Sequence, residues 1–355
     1  MDRPAPKGRG AQRNDSGRYE SWSRDPFDDG WGEAEEAGAA PRTEVTIETA
    51  RTIISYNQSP DISFDRTINT YRGCEHGCFY CYARPNHAYA GLSPGLDFET
   101  RLFAKINAAE LVDRELRASS YKPAMIMMGG VTDVYQPIER TYRLTRAVLA
   151  VLQRFQHPVA IITKSQAPIR DLDILAPMAA QGLAKAAISI TTLNRALARK
   201  MEPRAAAPHR RLEAIRALAD AGVPAAVMVA PIIPGLTDHE IEAILEAARD
   251  AGAREAGYVL LRMPLEIKGL ARDWFAQHTP DRAQRILSHV RTARGGRDYD
   301  PAWGMRQRGE GPYADLIGAR FRRACARLGL NTDRTRLDAS RFRLPARAGD
   351  QLALF

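Results

Sequence analysis

The sequence predicts an α/β protein in which strands and helices alternate through six βα units and curl into an open barrel. Three observations carry this expectation. From residue 124 onward, short apolar, β-rich runs alternate with segments of helical periodicity. Continuous apolar strands of that kind belong to parallel sheets covered on both faces. Hydrophobic residues make up 45% of the 355-residue chain, enough for a large core. Yet no apolar run reaches the ~18 residues of a membrane span. Finally, three of the four cysteines crowd one loop directly after the first expected strand, at the end of the sheet where βα folds place functional groups. The fold class is therefore a partial (βα)6, TIM-like barrel, with a doubly wound open sheet as the alternative.

The elements follow in order. Residues 1–24 carry six basic and three acidic side chains, residues 25–44 one basic and seven acidic, and neither stretch has apolar periodicity. Residues 1–45 are thus expected to form a disordered, charge-segregated tail. No apolar stretch follows the first charges, which speaks against a secretory leader and for a cytoplasmic protein. An extended segment at 65–72 supplies the first barrel strand. The runs "AMIMMGG" (124–130), "PVAIITKS" (158–165), "AKAAISITT" (184–192), "PAAVMVAPII" (224–233) and "GYVLLRMP" (257–264) supply the other five. Between them, "IERTYRLTRAVLAVLQRF" places Ile138, Tyr142, Val148, Leu149 and Leu152 on one helical face. A second helix opens near Pro208 and stops at Gly222. A third begins with Thr237 and Glu240 at capping-box spacing and stops at Gly252. These units make a core over 46–290. Residues 291–355 read as a basic, mostly helical extension, with fourteen arginines against six acids in 291–347. Such an end faces either an anionic partner such as nucleic acid or simply solvent.

The cysteines lie in "NTYRGCEHGCFYCYARP" as Cys74, Cys78 and Cys81. Four cysteines are too few for a disulfide framework, and clustered thiols in a reducing compartment read as metal ligands or redox groups. A structural zinc site wants four ligands, usually from two C-x2-C pairs. The remaining cysteine, Cys325 in "GARFRRACARLGL", lies at i, i+4 from Phe321 and reads as a buried apolar residue. Three thiolates leave one iron of a [4Fe–4S] cubane open, so the incomplete ligand set points to chemistry rather than structure. His76 falls off the cysteine spacing and is expected to be a solvated loop residue.

With Tyr80 as the aromatic in C-x3-C-x-aromatic-C, after the first strand of a (βα)6 pattern, the chain resembles the radical S-adenosylmethionine superfamily over about residues 66–265. The stretches "TYRGCEHGCFYCYARP", "TDVYQP", "TKS" and "ISITTLN" further resemble the branch related to spore photoproduct lyase. The resemblance implies a [4Fe–4S] cluster on Cys74, Cys78 and Cys81, with S-adenosylmethionine chelated at its open iron. One electron from an external donor of flavodoxin or ferredoxin type then cleaves the S–C5′ bond, and the 5′-deoxyadenosyl radical abstracts a hydrogen atom from the substrate. It also implies cofactor contacts for Tyr80, and for Gly129 and Gly130 at the methionine amino group. Lys164 and Ser189 would face the nucleoside and methionine carboxylate, and Ile232 with Gly235 the adenine. Thr132 and Asp133, just past the second strand, are candidate catalytic residues.

Each position also has a plain structural reading. Gly129 and Gly130 suit a turn of positive φ, Asp133 a turn cap, and Lys164 a side chain reaching solvent. Glu202, Arg204, His209, Arg210 and Arg211 suit a solvated loop. One departure is chemical. Spore photoproduct lyase returns a hydrogen atom from a cysteine near the end of the second strand, where this chain reads Met127, Met128, Gly129, Gly130, Val131. Thymine-dimer repair by that route is therefore not expected. There is no Walker A loop and no G-x-G-x-x-G after a strand. The function classes left are a radical enzyme on nucleic acid, a radical enzyme on a protein or small metabolite, and an iron–sulfur redox module that is not an enzyme.

Overall fold

The structure, a computed structural model, describes residues 8–21 and 42–346. Among these residues the strands are β1 (Glu44–Glu48), β2 (Ile54–Tyr56), β3 (Arg66–Ile68), β4 (Tyr71–Arg72), β5 (Arg101–Lys105), β6 (Ile126–Met128), β7 (Val159–Thr163), β8 (Ala184–Ser189), β9 (Ala225–Ile232) and β10 (Glu255–Leu260). β3, β6, β7, β8, β9 and β10 lie side by side in that order, all parallel, and β2 joins β3 antiparallel at one edge. Five of these six strands are the apolar runs read from the sequence, and β3 lies within the extended segment expected at 65–72. Their core-facing residues, Ile68, Ile126, Ile161, Ile188, Val227 and Leu260 among them, are fully buried. The helices Leu144–Arg154, Leu172–Ala180, Pro208–Asp220 and Ile241–Asp250 cover the sheet with Leu152, Leu175, Ile215 and Leu245. Each such side chain contributes roughly 1.5–3 kcal/mol on leaving water. Among the described residues no helix is long and apolar enough to cross a membrane.

Four expectations need correction. The segment at 65–72 is not one strand. β3 joins the barrel sheet, whereas β4 pairs antiparallel with β5, which carries β1 parallel on its other side. The helix expected over 138–155 breaks at Arg143, which has φ 51. Glu139 explains the break, because its carboxylate accepts the amides of Thr145 (3.0 Å) and Arg146 (3.3 Å) and caps the helix that follows. Thr237 and Glu240 make no capping box. Glu240 instead reaches the loop after β8, accepting from the Thr192 hydroxyl at 2.5 Å and the Leu193 amide at 2.6 Å.

The fourth correction concerns both ends. Within the expected tail, residues 8–21 pack against the cysteine loop. The Gly10 and Ala11 amides donate to the Glu99 carboxylate at 2.9 and 2.7 Å, and Arg9 donates to the Glu99 carbonyl at 2.8 Å. A Cβ on Gly10 would lie 1.6 Å from the Gly77 carbonyl oxygen, so only glycine fits that crossing. A buried carboxylate holds this segment through backbone amides, and composition does not reveal such an anchor. The remainder of 1–45, apart from 42–45, lies outside the described residues. At the other end, helix Pro312–Leu328 buries Ile317, Phe321 and Cys325 in the main core. Beyond it the chain runs beneath the N-terminal ends of the strands. Asn331 brackets Ala256 in β10, Lys185 in β8 reaches Thr335, and the Arg343 amide donates to Phe155, just before β7. This is the face opposite the cysteine loop. Elsewhere in the C-terminal extension several arginines are tied to acids, including Arg320 to Glu242 (2.6 Å), Arg327 to Glu246 (2.5 Å) and Arg291 to Asp298 (2.8 Å).

Candidate active site

β4 leads into Gly73 and Gly77, both left-handed at φ 72 and 67, which fold the residues between them into a tight loop. Cys74 and Cys78 are buried and Cys81 partly so. Backbone bonds fix them from three directions. The Cys74 amide donates to Phe98 O (2.9 Å), the Phe79 amide to Met201 O (3.3 Å) and the Cys81 amide to Cys78 O (3.2 Å). Arg84, fully buried, donates to the Cys78 carbonyl at 2.9 Å and pairs with Glu99. Gln136 grips the loop from beyond β6, accepting the Glu75 amide at 2.8 Å and donating to Gly73 O at 3.1 Å. Phe79 stacks on Trp274 with ring centres 4.1 Å apart and 7° between planes.

The two other potential ligands in the loop turn away from the thiols. Glu75 pairs with Arg204 at 3.1 Å, and His76 Nδ1 with Asp133 at 3.2 Å. His76 is therefore buried and partnered, not solvated. Asp133 also accepts the Thr163 hydroxyl (2.6 Å) and the amides of Tyr135 (2.9 Å) and Lys164 (2.7 Å). Burial alone would raise its pKa, but His76 and these donors outweigh burial and hold the carboxyl well below the usual carboxylate range. The Thr132 hydroxyl donates to the Tyr71 carbonyl at 3.3 Å. The polar groups of Thr132 and Asp133, expected as catalytic residues, are thus engaged in the network around the cysteine loop.

A second network joins the ends of β7 and β8 to the cysteines. Lys164, directly after β7, sets its ammonium 5.6 Å from the centre of the Tyr80 ring. The Tyr80 hydroxyl donates to Glu202, which is fully buried and also accepts the Thr191 hydroxyl at 2.8 Å. Arg211 pairs with Glu202 and donates to the carbonyls of Ser189 (3.0 Å) and Ala206 (2.7 Å). Burial works against the charge of Lys164, but Cys78 and Glu202 outweigh it and hold its pKa above the ordinary value. Burial pushes the Cys78 thiol up to about 12, with Lys164 pulling the other way.

Gly129, just past β6, has φ 95, and a Cβ there would stand 2.2 Å from the Ile162 carbonyl oxygen. The Gly130 carbonyl accepts the Tyr82 hydroxyl. Ser189 and Ile232 are the last residues of β8 and β9, both buried, with Ile232 part of the main core, and Gly235 follows in a left-handed turn at φ 75. The strand ends therefore gather Tyr80, Gly129, Gly130, Lys164 and Ser189 around the cysteine loop. Glu99, Gln136, Glu202 and Arg211 were not singled out as site residues from the sequence. Gln136 carried a signal within "TDVYQP", and Glu202 and Arg211, read as part of a solvated loop, are instead buried. Cys325 stands apart in the core, its thiol pushed up to about 11 by burial alone.

The donor set fits a cluster rather than a lone ion. Three thiols share one loop whose carboxylate and imidazole are engaged elsewhere. Cysteine thiolates are the ligands that hold iron–sulfur clusters, and cysteines around a cubane each take a different iron.

Residues 68–248, about half the chain, match the sequence profile of the Radical SAM superfamily. The chain belongs to the radical SAM superfamily. Membership implies a [4Fe–4S] cluster and S-adenosylmethionine as its cofactors. Among similar proteins are uncharacterized proteins of Mycobacterium tuberculosis and Mycobacterium bovis, 36% identical over 216 residues, covering 60% of this chain and 62% of theirs. The match thus spans less than two thirds of those relatives. A solved spore photoproduct lyase in complex with dinucleoside spore photoproduct superimposes with a TM-score of 0.58 at 16% identity, over 81% of this chain and 80% of that one. A variant of that enzyme with bound AdoMet and the same dinucleoside gives 0.58 at 17% identity, with the same coverage. These likenesses establish a shared fold.

Proposed function

We propose that this radical SAM protein is an enzyme that cleaves S-adenosylmethionine reductively and acts on a nucleic-acid substrate. The observation that carries the reading is the all-thiol loop of Cys74, Cys78 and Cys81 set at the strand ends with Lys164 beside it. When bound, the cluster and S-adenosylmethionine supply the one-electron cleavage that makes hydrogen abstraction from an unactivated carbon accessible. The chain's residues do the rest. Cys74, Cys78 and Cys81 hold the cluster. Gly129 and Gly130 at the end of β6 and the Lys164 ammonium after β7 would hold the methionine end of S-adenosylmethionine. Glu202 and Arg211 keep Tyr80 and the β8 end in place. The Phe79–Trp274 stack and the buried face of Tyr80 exclude water around the thiols.

Support for a nucleic-acid substrate comes from the mouth of the barrel and from the fold. Arg262, just beyond β10, lies 5.1 Å from the ring centre of Tyr82 and 5.9 Å from that of Tyr299, a cation flanked by aromatic faces beside the cysteine loop. The likeness to a lyase solved with a dinucleoside points the same way. The arginines of 331–346 do not enter the reading, since that stretch runs along the opposite face. An external one-electron donor of flavodoxin or ferredoxin type completes the partners.

The test is anaerobic. Protein reconstituted with iron and sulfide is reduced and given S-adenosylmethionine, and 5′-deoxyadenosine is quantified with and without DNA and RNA oligonucleotides, with Cys78→Ala as the blank. Release by the wild type alone, stimulated by one of the oligonucleotides, is the expected result. No release under any reductant overturns the enzymatic reading. Release indifferent to both polynucleotides overturns the substrate class.

A further inference from the structure

We propose that a cavity of about 660 Å³ on the outer side of the cysteine loop binds a phosphate-bearing ligand. It is bounded by the loops after β6, β7 and β8, with His76 and Gln136 among its lining residues. Gly129, Gly130, Lys164, Ser189 and Ile232 are not part of its wall. The cavity is therefore distinct from the cofactor positions inside the barrel.

Its wall is strongly cationic. Arg140, Arg143, Arg170, Arg204 and Arg210 line it, with Glu139 as the one lining acid. Three of these arginines are neutralised. Arg170 pairs with Glu139 and Asp171 (2.9 and 2.8 Å), Arg204 with Glu75 (3.1 Å) and Arg210 with Glu213 (2.8 Å). Arg140 and Arg143 are exposed, and among the described residues neither guanidinium has a carboxylate partner. Two uncompensated guanidiniums on one concave wall match the planar, multidentate demand of phosphate oxygens.

Two further features agree. Arg143 adopts φ 51, a conformation that favours glycine or asparagine, so the backbone has no use for an arginine there. The 13-residue helix Pro208–Asp220 begins at the cavity, with Arg210 in its first turn, and Ala207 provides no side-chain cap. Its uncapped N-terminus adds partial positive charge to the same wall. The site also touches the cysteine loop, because Arg204 holds Glu75 and His76 holds Asp133.

The test uses the full-length, cluster-free protein, so its outcome does not depend on radical chemistry. Isothermal titration is run with inorganic pyrophosphate, with a nucleoside triphosphate and with a short single-stranded oligonucleotide. Wild-type protein is compared with Arg140→Gln and Arg143→Gly. Saturable binding of at least one probe is expected, weakening with added salt and falling tenfold or more in each variant. Arg143→Gly should at the same time keep or raise Tm, because glycine relieves the left-handed residue; a merely structural role would give the reverse. Binding of pyrophosphate identifies a small soluble phosphate ligand, and binding confined to the oligonucleotide identifies a polynucleotide phosphate. Absence of saturable binding for all three probes, or unchanged affinity in both variants, overturns the proposal.

Discussion

Replacing Glu202 by glutamine keeps the shape of the side chain and removes its charge from the centre of the network behind the cysteines. In the wild type, the carboxylate receives Tyr80, Thr191 and Arg211, and Arg211 is 1% exposed. After the change, the Arg211 guanidinium stays buried with only the carbonyls of Ser189 and Ala206 to oppose it, and Lys164 nearby adds a like charge. Breaking a buried ion pair from one side costs about 3–5 kcal/mol, and the amide oxygen of glutamine keeps this change at the lower end. At roughly 2–4 °C per kcal/mol, Tm of the cluster-free protein should fall by about 6–12 °C. The second half of the experiment is Glu202→Leu with Arg211→Met. Replacing both charges by apolar groups of similar volume should recover much of that loss, giving a coupling of opposite sign to the single changes. Scanning calorimetry and urea unfolding read both quantities. A loss below about 1 kcal/mol for Glu202→Gln, or a double variant no better than the singles, would refute the view that the pair is held as buried charges.

Other predictions concern the surrounding shell. His157 is buried, with Nε2 2.7 Å from the Tyr121 hydroxyl and Nδ1 3.0 Å from the Pro158 carbonyl, and burial lowers its pKa to about 4. Between pH 6.5 and about 4 the unfolded chain takes up a proton that the folded chain refuses. Stability should therefore fall with pH through that window, by about 3 kcal/mol in all. Urea unfolding of His157→Gln should show a shallower pH dependence, and an identical slope would count against the assignment. Gly10→Val places side-chain atoms on the Gly77 carbonyl, so hydrogen exchange of peptides from 8–21 should lose its protection; retained protection would contradict the close crossing. Cys325→Ser should leave iron and sulfide content unchanged while costing about 1–3 kcal/mol of stability through an unpaired buried hydroxyl. A fall in iron content would make Cys325 a ligand after all.

What could be read from the chain followed the range of the interactions involved. Five of the six parallel strands were legible because each is a run of apolar residues, and periodicity is local; β3 is the short, polar Arg66–Ile68 and was read only as part of a longer extended segment. The cysteines were legible for the same reason, since their spacing lies within eight residues. Glu99 and Glu202 were not. Each is a buried carboxylate that acquires its meaning from partners up to 89 residues distant in the first case and 122 in the second. Arg143 interrupts a regular helical pattern through a capping contact from Glu139, which the apolar period at 138–155 conceals. For the basic C-terminal segment, composition left both an anionic partner and solvent open, and the passage of 331–346 beneath the strands follows from the hydrogen bonds of Asn331 and Lys185, which no local pattern shows.

Gln136, Arg84, Glu99 and the Phe79–Trp274 stack all hold the cysteine loop through contacts between protein groups. The conformational entropy of ordering that loop is therefore met by the polypeptide itself, and cluster binding energy is not diverted into folding. The consequence is a site whose loss of iron is an event of inventory rather than of architecture. A chain stripped by oxygen would keep its thiols gathered for repair, and reloading would proceed without a passage through the unfolded state.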